Sequence, residues 1–349
     1  MAEREKTKKV LVTGGSGYIG SILLRKLLEK GYEIRVIDKL IFGDKPISDI
    51  KDRIELIMAD IRDIQLSHLE GIDAIIHLGG FSTDPISQYD PRLTVMVNAI
   101  ATEKLARMAK ECGIKRFVYA STCSVYFTLN SPSELPIYKE TDNINPVSCY
   151  GITKRCSEQA LEYMTDSDFQ PTIFRKGTLY GLSPRMRYEL LLNSFAKDAF
   201  FKRQLTINGG GDIWRSMIDV QDAADAYIKA IELPLEKVGG KIFNVADRNW
   251  NIMEIAQQVK DNIKEVKGID INFKINPNVN TRNYKVDTTL FKNTFDFKPC
   301  REIKDVLCEI WDHCENDPNH NPDNPIYYGD QWYAKFFETP EGTKFRRRI

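Results

Sequence analysis

Residues 8–39 read KKVLVTGGSGYIGSILLRKLLEKGYEIRVIDK, and the fold follows from how this stretch is punctuated. KKVLVT predicts a short buried strand, GYIGSILLRKLLEKG carries apolar residues at helical spacing, and EIRVID predicts a second strand. Between the first strand and the helix lies TGGSGYIGS. Its Gly14, Gly17 and Gly20 allow positive φ angles and a close approach of backbone to a pyrophosphate, at a helix N-terminus whose N–H groups and dipole favour anions. A glycine turn alone says little. Flanked by strand and helix, with Asp38 closing the next strand, it predicts a dinucleotide site. A carboxylate at Asp38 hydrogen-bonds ribose hydroxyls and repels a 2′-phosphate, which favours NAD over NADP, although Lys39 beside it pulls the other way.

The same rhythm continues through ELIMAD, DAIIHLG, the helical TVMVNAIATEKLARMAKECG and KRFVYAS, with further strands at QPTIFRKG and KIFNVAD. This predicts an α/β fold: a Rossmann-type doubly wound parallel sheet with a smaller C-terminal substrate-binding domain over its carboxyl edge. The expected division is an NAD-binding domain over 1–177, rejoined by 213–245, a substrate-binding domain from 178–212 and 246–316, and a C-terminal extension over 317–349. The aromatic residues of that extension argue that it packs onto something, on its own subunit or another.

Composition narrows the partners. Lysine plus arginine equals aspartate plus glutamate at 49 each, so no net field points to nucleic acid or a membrane. The seven cysteines are scattered without CxxC spacing, and Cys308, His313, Cys314 and His320 fit no zinc pattern, so reduced thiols and no metal are expected. MAEREKTKKV is too charged for a signal peptide and no apolar run reaches membrane-spanning length, which predicts a cytoplasmic protein.

The chemistry lies in NPVSCYGITKRCSEQA, residues 145–160. Tyr150 and Lys154, four apart at the start of a helix, share one face. A phenol, normally near pKa 10, serves as a base for an alcohol proton only if it is made more acidic. A nearby ammonium favours phenolate, and a cationic nicotinamide adds to the effect. Ser121, Thr122 and Ser124, in STCSVY at the end of the fifth strand, offer hydroxyls to hold a reacting oxygen.

TGGSGYIG, Asp38, HLGG, STCSVY, YGITK and RSMIDVQDAA together resemble the extended short-chain dehydrogenase/reductase family, specifically its NAD-dependent sugar-nucleotide epimerases and dehydratases, from about Lys8 to Trp311. The resemblance implies a catalytic set of Thr122, Tyr150 and Lys154. It implies NAD contacts from Gly14, Gly17, Tyr18, Ile19, Gly20, Asp38, Asp60, Ile61, Leu78, Gly79, Gly80, Asn98, Ser121, Tyr150 and Lys154. Substrate contacts are expected from Cys123, Ser124, Thr178, Arg187, Arg215 and Arg282, the arginines holding a diphosphate, with Arg185 as a further candidate. Family dehydratases carry an Asp-Glu pair after the triad threonine, and decarboxylases a glutamate where Ser124 stands; this chain has Cys123 and Ser124. Phe127 also replaces a usual glycine.

What remains is an NAD-dependent epimerase acting on a nucleotide-diphosphate sugar at C4, or a sugar-nucleotide dehydrogenase or keto reductase. A third reading, of a different class, is a dinucleotide-binding scaffold that lost catalysis. Relatives pair the helix near Val95–Cys112 with the one beginning at Tyr150, so a homodimer is expected.

Overall fold

The computed structural model describes residues 8–126, 135–277, 282–317 and 319–348; Phe127 lies outside them. Seven parallel strands form the central sheet: β1 (Lys9–Thr13), β2 (Glu33–Asp38), β3 (Glu55–Met58), β4 (Ala74–His77), β5 (Arg116–Thr122), β7 (Gln170–Lys176) and β11 (Ile242–Val245). Their order is β3-β2-β1-β4-β5-β7-β11. The order reverses between β1 and β4, and a crevice opens there at the carboxyl ends. Helices cover both faces, so Val10, Leu11 and Val12 are fully buried and the strand reads as a continuous apolar run rather than an alternating one.

One core lies under the face covered by helices Gly20–Glu29 and Val220–Glu232, and a second under the face covered by Ala101–Glu111. The helical stretch expected over TVMVNAIATEKLARMAKECG is divided: Val95–Ile100 is a π-helical segment running into the α-helix Ala101–Glu111.

Beyond β7 the smaller elements overhang the sheet edge. β8 (Thr178–Tyr180), β10 (Trp214–Asp219) and β12 (Arg248–Asn251) form a three-stranded sheet, β9 (Gln204–Asn208) pairs with β13 (Asn272–Asn276), and β6 (Ile137–Tyr138) pairs with β14 (Lys285–Val286). Within 213–245, β10 therefore belongs to the overhanging sheet, while helix Val220–Glu232 packs on helix Gly20–Glu29 and β11 extends the central sheet. The final helices, Gly329–Glu338 and Pro340–Arg347, fold back onto this same chain across the loops that follow β2, β3 and β4.

Candidate active site

The loops at the carboxyl edge enclose a cleft of roughly 1700 Å³, solvent at its mouth included. Its floor is built from strand ends, among them Thr13, Asp38, Thr122 and Lys176.

At one end the glycine turn follows β1. Gly14 has φ +74°, and a Cβ on it would sit 2.8 Å from the backbone nitrogen of Gly79; a Cβ on Gly20 would sit 2.3 Å from the carbonyl oxygen of Gly14. A side chain at Gly14 would force the turn away from the loop after β4, and one at Gly20 would force the helix start away from the turn itself. That loop is pinned from below by a buried histidine. His77 Nδ1 lies 2.6 Å from the Thr13 hydroxyl, its Nε2 lies 2.9 Å from that of Thr102, and the Gly79 N–H donates to Thr13 at 3.1 Å. Burial and the charge of Lys154 hold His77 down to about 3, so it is neutral.

Asp38 accepts hydrogen bonds from the Ser16 and Leu40 N–H groups at 2.9 and 2.8 Å, which fixes its carboxylate beneath the turn. Burial nonetheless raises its pKa, so its remaining lone pairs are well served by donors such as ribose hydroxyls. The side-chain-free cradle and the anchored acid fit the adenosine and pyrophosphate portions of NAD. Gly14, Gly17, Tyr18, Ile19, Gly20, Asp38, Asp60, Ile61, Leu78, Gly79 and Gly80 all line the cleft. Asp60 is ion-paired with Arg62 at 2.6 Å.

At the other end Ser148 caps the helix Cys149–Met164, its hydroxyl accepting from the Gly151 N–H at 3.0 Å. The cap sets Tyr150 in the first turn and Lys154 one turn on, both buried and both in the cleft wall. Thr122 and Ser124 face them, the Thr122 hydroxyl 3.1 Å from that of Ser124. Burial pushes the Tyr150 phenol up to about 12, against the pull of the Thr122 hydroxyl and then of Arg282 and Arg187. The groups that draw it down are thus not headed by Lys154. That amine donates to the Ala120 carbonyl at 2.9 Å, lies 4.9 Å from the Tyr119 ring centroid, and falls to about 7 through burial and the repulsion of Lys176.

Several expected residues stand behind the wall. Asn98 is buried, with its amide holding both backbone groups of Phe81 at 2.8 and 3.1 Å; a Cβ on Gly80 would meet its oxygen at 2.7 Å. Ser121 donates to buried Glu158. Cys123, expected to line the substrate, does not: its thiol points to the Arg175 carbonyl at 3.1 Å, inside a cluster with Val125, Tyr126 and Tyr284, and burial pushes its pKa up. The short helical turn at Cys123–Tyr126 turns consecutive side chains in different directions, which sends Ser124 to the cleft and Cys123 to the core. Arg215 is outside the lining and stacks 5.7 Å from the Tyr284 ring centroid. Thr178, Arg187 and Arg282 line the cleft, as does Arg185. Arg282 donates to the Ser124 hydroxyl at 2.5 Å and pairs with Asp84 at 3.4 Å.

Sequence reasoning missed Lys176, Asp84 and the C-terminal residues Tyr333 and Phe345. Lys176 lies opposite Thr122 in the β5–β7 register, donates to the Ser121 carbonyl at 2.7 Å, and falls to about 8 through burial. Its position at the end of a strand, in RKG, was a usable signal. The aromatic residues of the tail signalled packing, and nothing local pointed to the cleft as its place.

The family model described as the NAD dependent epimerase/dehydratase family matches residues 10–246. The chain is 26% identical to a UDP-glucose 4-epimerase of Lactobacillus helveticus over 87% of this chain and 96% of that one. It is 31% identical to UDP-glucuronic acid decarboxylase 1 of Arabidopsis thaliana over 86% of this chain and 68% of the relative. The crystal structure of a UDP-glucuronic acid 4-epimerase from Bacillus cereus, in complex with UDP-glucuronic acid and NAD, superposes with a TM-score of 0.75 at 24% identity, covering 88% of this chain and 99% of that one.

Proposed function

The chain belongs to the NAD-dependent epimerase/dehydratase family, and from that premise we propose that it epimerises a nucleotide-diphosphate sugar at C4 by transient oxidation. The observation that carries this reading is the meeting of the Thr122, Ser124 and Tyr150 hydroxyls in one wall, with a serine where decarboxylation places a glutamate. Among the described lining residues the carboxylates are Asp38 and Asp60, both at the β2–β3 end. At the reacting end the nearby carboxylate is Asp84, paired with Arg282 behind the lining; this end is equipped to move an alcohol proton, and the acid/base pair of dehydration is absent from the residues that follow Thr122.

When bound, NAD supplies the hydride acceptor for the sugar carbon. Thr122 and Ser124 hold the reacting oxygen, and Tyr150 takes its proton during oxidation and returns it during reduction. Lys154, beside Gly80 and anchored on Ala120, supplies positive charge along the dinucleotide path. Arg187 and Arg282 offer guanidinium donors to a diphosphate. Thr178 and Tyr284 shape the wall between them. The division into an NAD-binding unit (1–177 with 213–245) and a substrate unit (178–212 with 246–316) belongs to the same reading.

A homodimer through Val95–Glu111 and Cys149–Met164 is part of this proposal, supported by the exposure of Val95, Ile100, Ile152 and Tyr163 on those segments. A cytoplasmic setting accords with free cysteines among the described residues; no helix among them is long and apolar enough to cross a membrane.

The test is incubation with UDP-glucose, UDP-N-acetylglucosamine and UDP-glucuronic acid, with sugar products separated and reduced nicotinamide followed by absorbance. Epimerisation yields the C4 epimer with no net absorbance change, and Tyr150→Phe lowers the rate by about 10²- to 10⁴-fold while protein-bound NAD is retained. Net accumulation of reduced nicotinamide would instead establish the dehydrogenase, and a pentose product the decarboxylase.

A further inference from the structure

The C-terminal residues 329–348 touch the loops after β2, β3 and β4, three of those that frame the adenosine end of the cleft. After β2, the Trp332 indole donates to the Ile41 carbonyl at 2.6 Å, Tyr333 meets Phe42 edge-on at 5.3 Å, and Glu341 pairs with Lys39. After β3, Arg62 lies 4.5 Å from the Phe345 ring centroid and donates to the Phe345 carbonyl at 2.8 Å, while Arg348 pairs with Asp63 at 2.5 Å. After β4, Tyr333 packs on Phe81 at 4.9 Å, Phe337 stacks on Tyr89 at 5.5 Å, and Arg346 pairs with Asp90 at 2.9 Å. These are not merely surface contacts. Gly329, Tyr333 and Phe345 line the same cleft as Asp38 and Asp60.

The charge arrangement matters as much as the packing. Lys39, next to the ribose-reading Asp38, is the one feature of the second strand's end that suits a 2′-phosphate, and its ammonium is paired with Glu341. Tyr333 lies near enough to Asp38, Arg185 and Arg187 to feel all three charges. We infer that the C-terminal helix pair is the outer wall of the adenosine half of the NAD site, that its docking and NAD binding support one another, and that Glu341 selects NAD against NADP by engaging Lys39. The inference rests on the reading of this cleft as the NAD site. Coupling follows by linkage: a ligand that touches the docked tail stabilises docking, and docking raises the ligand's affinity by the same factor. A 2′-phosphate would enter beside Asp38 and find the neighbouring ammonium already neutralised.

The experiment is peptide-level hydrogen exchange on the full-length, cofactor-stripped protein, with and without saturating NAD, beside titrations of NAD and NADP. Protection rising at least tenfold both in residues 14–20 and in 329–347 supports the inference. Protection in 14–20 with no change in 329–347 overturns it and leaves the cofactor site standing. Protection in neither overturns the reading of the cleft and the inference together. For selectivity, Glu341→Gln alters an exposed carboxylate, so folding is not in question. It lowers the ratio of the NADP to the NAD dissociation constant by about three- to tenfold at low salt, an effect that shrinks at high salt. An unchanged ratio overturns the selective role of Glu341. Tyr333→Ala raises the NAD dissociation constant at least tenfold, and Tyr333→Phe, which keeps the ring, recovers most of that loss if the wall acts by packing.

Discussion

Lys154→Met removes a buried amine that the fold holds at an energetic disadvantage. Burial and Lys176 bring this amine from an ordinary 10.5 to about 7, and its side chain is almost fully enclosed. The sign follows from proton counting. Between pH 7 and 10.5 the unfolded chain binds the proton more fully than the folded one, so stability rises with pH across that window. The residue weakens folding by about 4 kcal/mol at pH 7 and about 2 kcal/mol at pH 9. Methionine keeps most of the stem volume but forfeits the hydrogen bond to Ala120 and the contact with the Tyr119 ring, together about 1–2 kcal/mol. The variant is therefore expected to be more stable than the parent by about 2–3 kcal/mol at pH 7, with the advantage falling by about 2 kcal/mol by pH 9. Urea unfolding of both cofactor-stripped proteins at pH 7, 8 and 9 measures this; titrating groups that do not interact with Lys154 cancel in the comparison, and repeating it in a Lys176→Met background removes the one coupled group that titrates in this window. A gap that stays constant with pH, or a variant less stable at pH 7, would refute the reasoning. Turnover moves oppositely, falling by at least 10²-fold, because the charge that destabilises the fold is the one placed along the dinucleotide path.

Two further outcomes follow from the buried groups. Glu158 is fully enclosed and holds Arg175 at 2.9 Å, with Arg175 itself only 2% exposed. Glu158→Gln leaves that guanidinium uncompensated and costs about 3–5 kcal/mol of stability, whereas Glu158→Leu combined with Arg175→Met recovers most of it; equal losses in the single and double variants would show that the pair is not the cause. Cys123→Ala, read by the same urea titration and by turnover, costs about 1–2 kcal/mol and leaves the rate within about twofold; a tenfold loss would return the thiol to the chemistry.

The local patterns that carried the fold were those whose physics is local. A strand buried on both faces must be a continuous apolar run, a pyrophosphate turn must be glycine-rich, and a Tyr/Lys pair four apart shares one face of a helix. The strand, turn, helix and strand of 8–39 and the helix beginning near Tyr150 are therefore legible in isolation. What tertiary structure decided was direction and company. Cys123 and Ser124 are adjacent and look equivalent in the chain, but one turn of helix at the end of β5 sends the first to the core and the second to the cleft. Asn98 acts on the site through Phe81, Gly80 and Thr153. The acidity of Tyr150 depends on burial and on Thr122, neither legible from the i,i+4 spacing that suggested Lys154. Farthest from local reading is the tail: Tyr333, Glu341 and Phe345 meet Phe42, Lys39 and Arg62 across about 300 positions of sequence. Periodicity and motif spacing describe neighbours along a helix or strand, and a contact of that separation exists only once the sheet has brought its strand ends together.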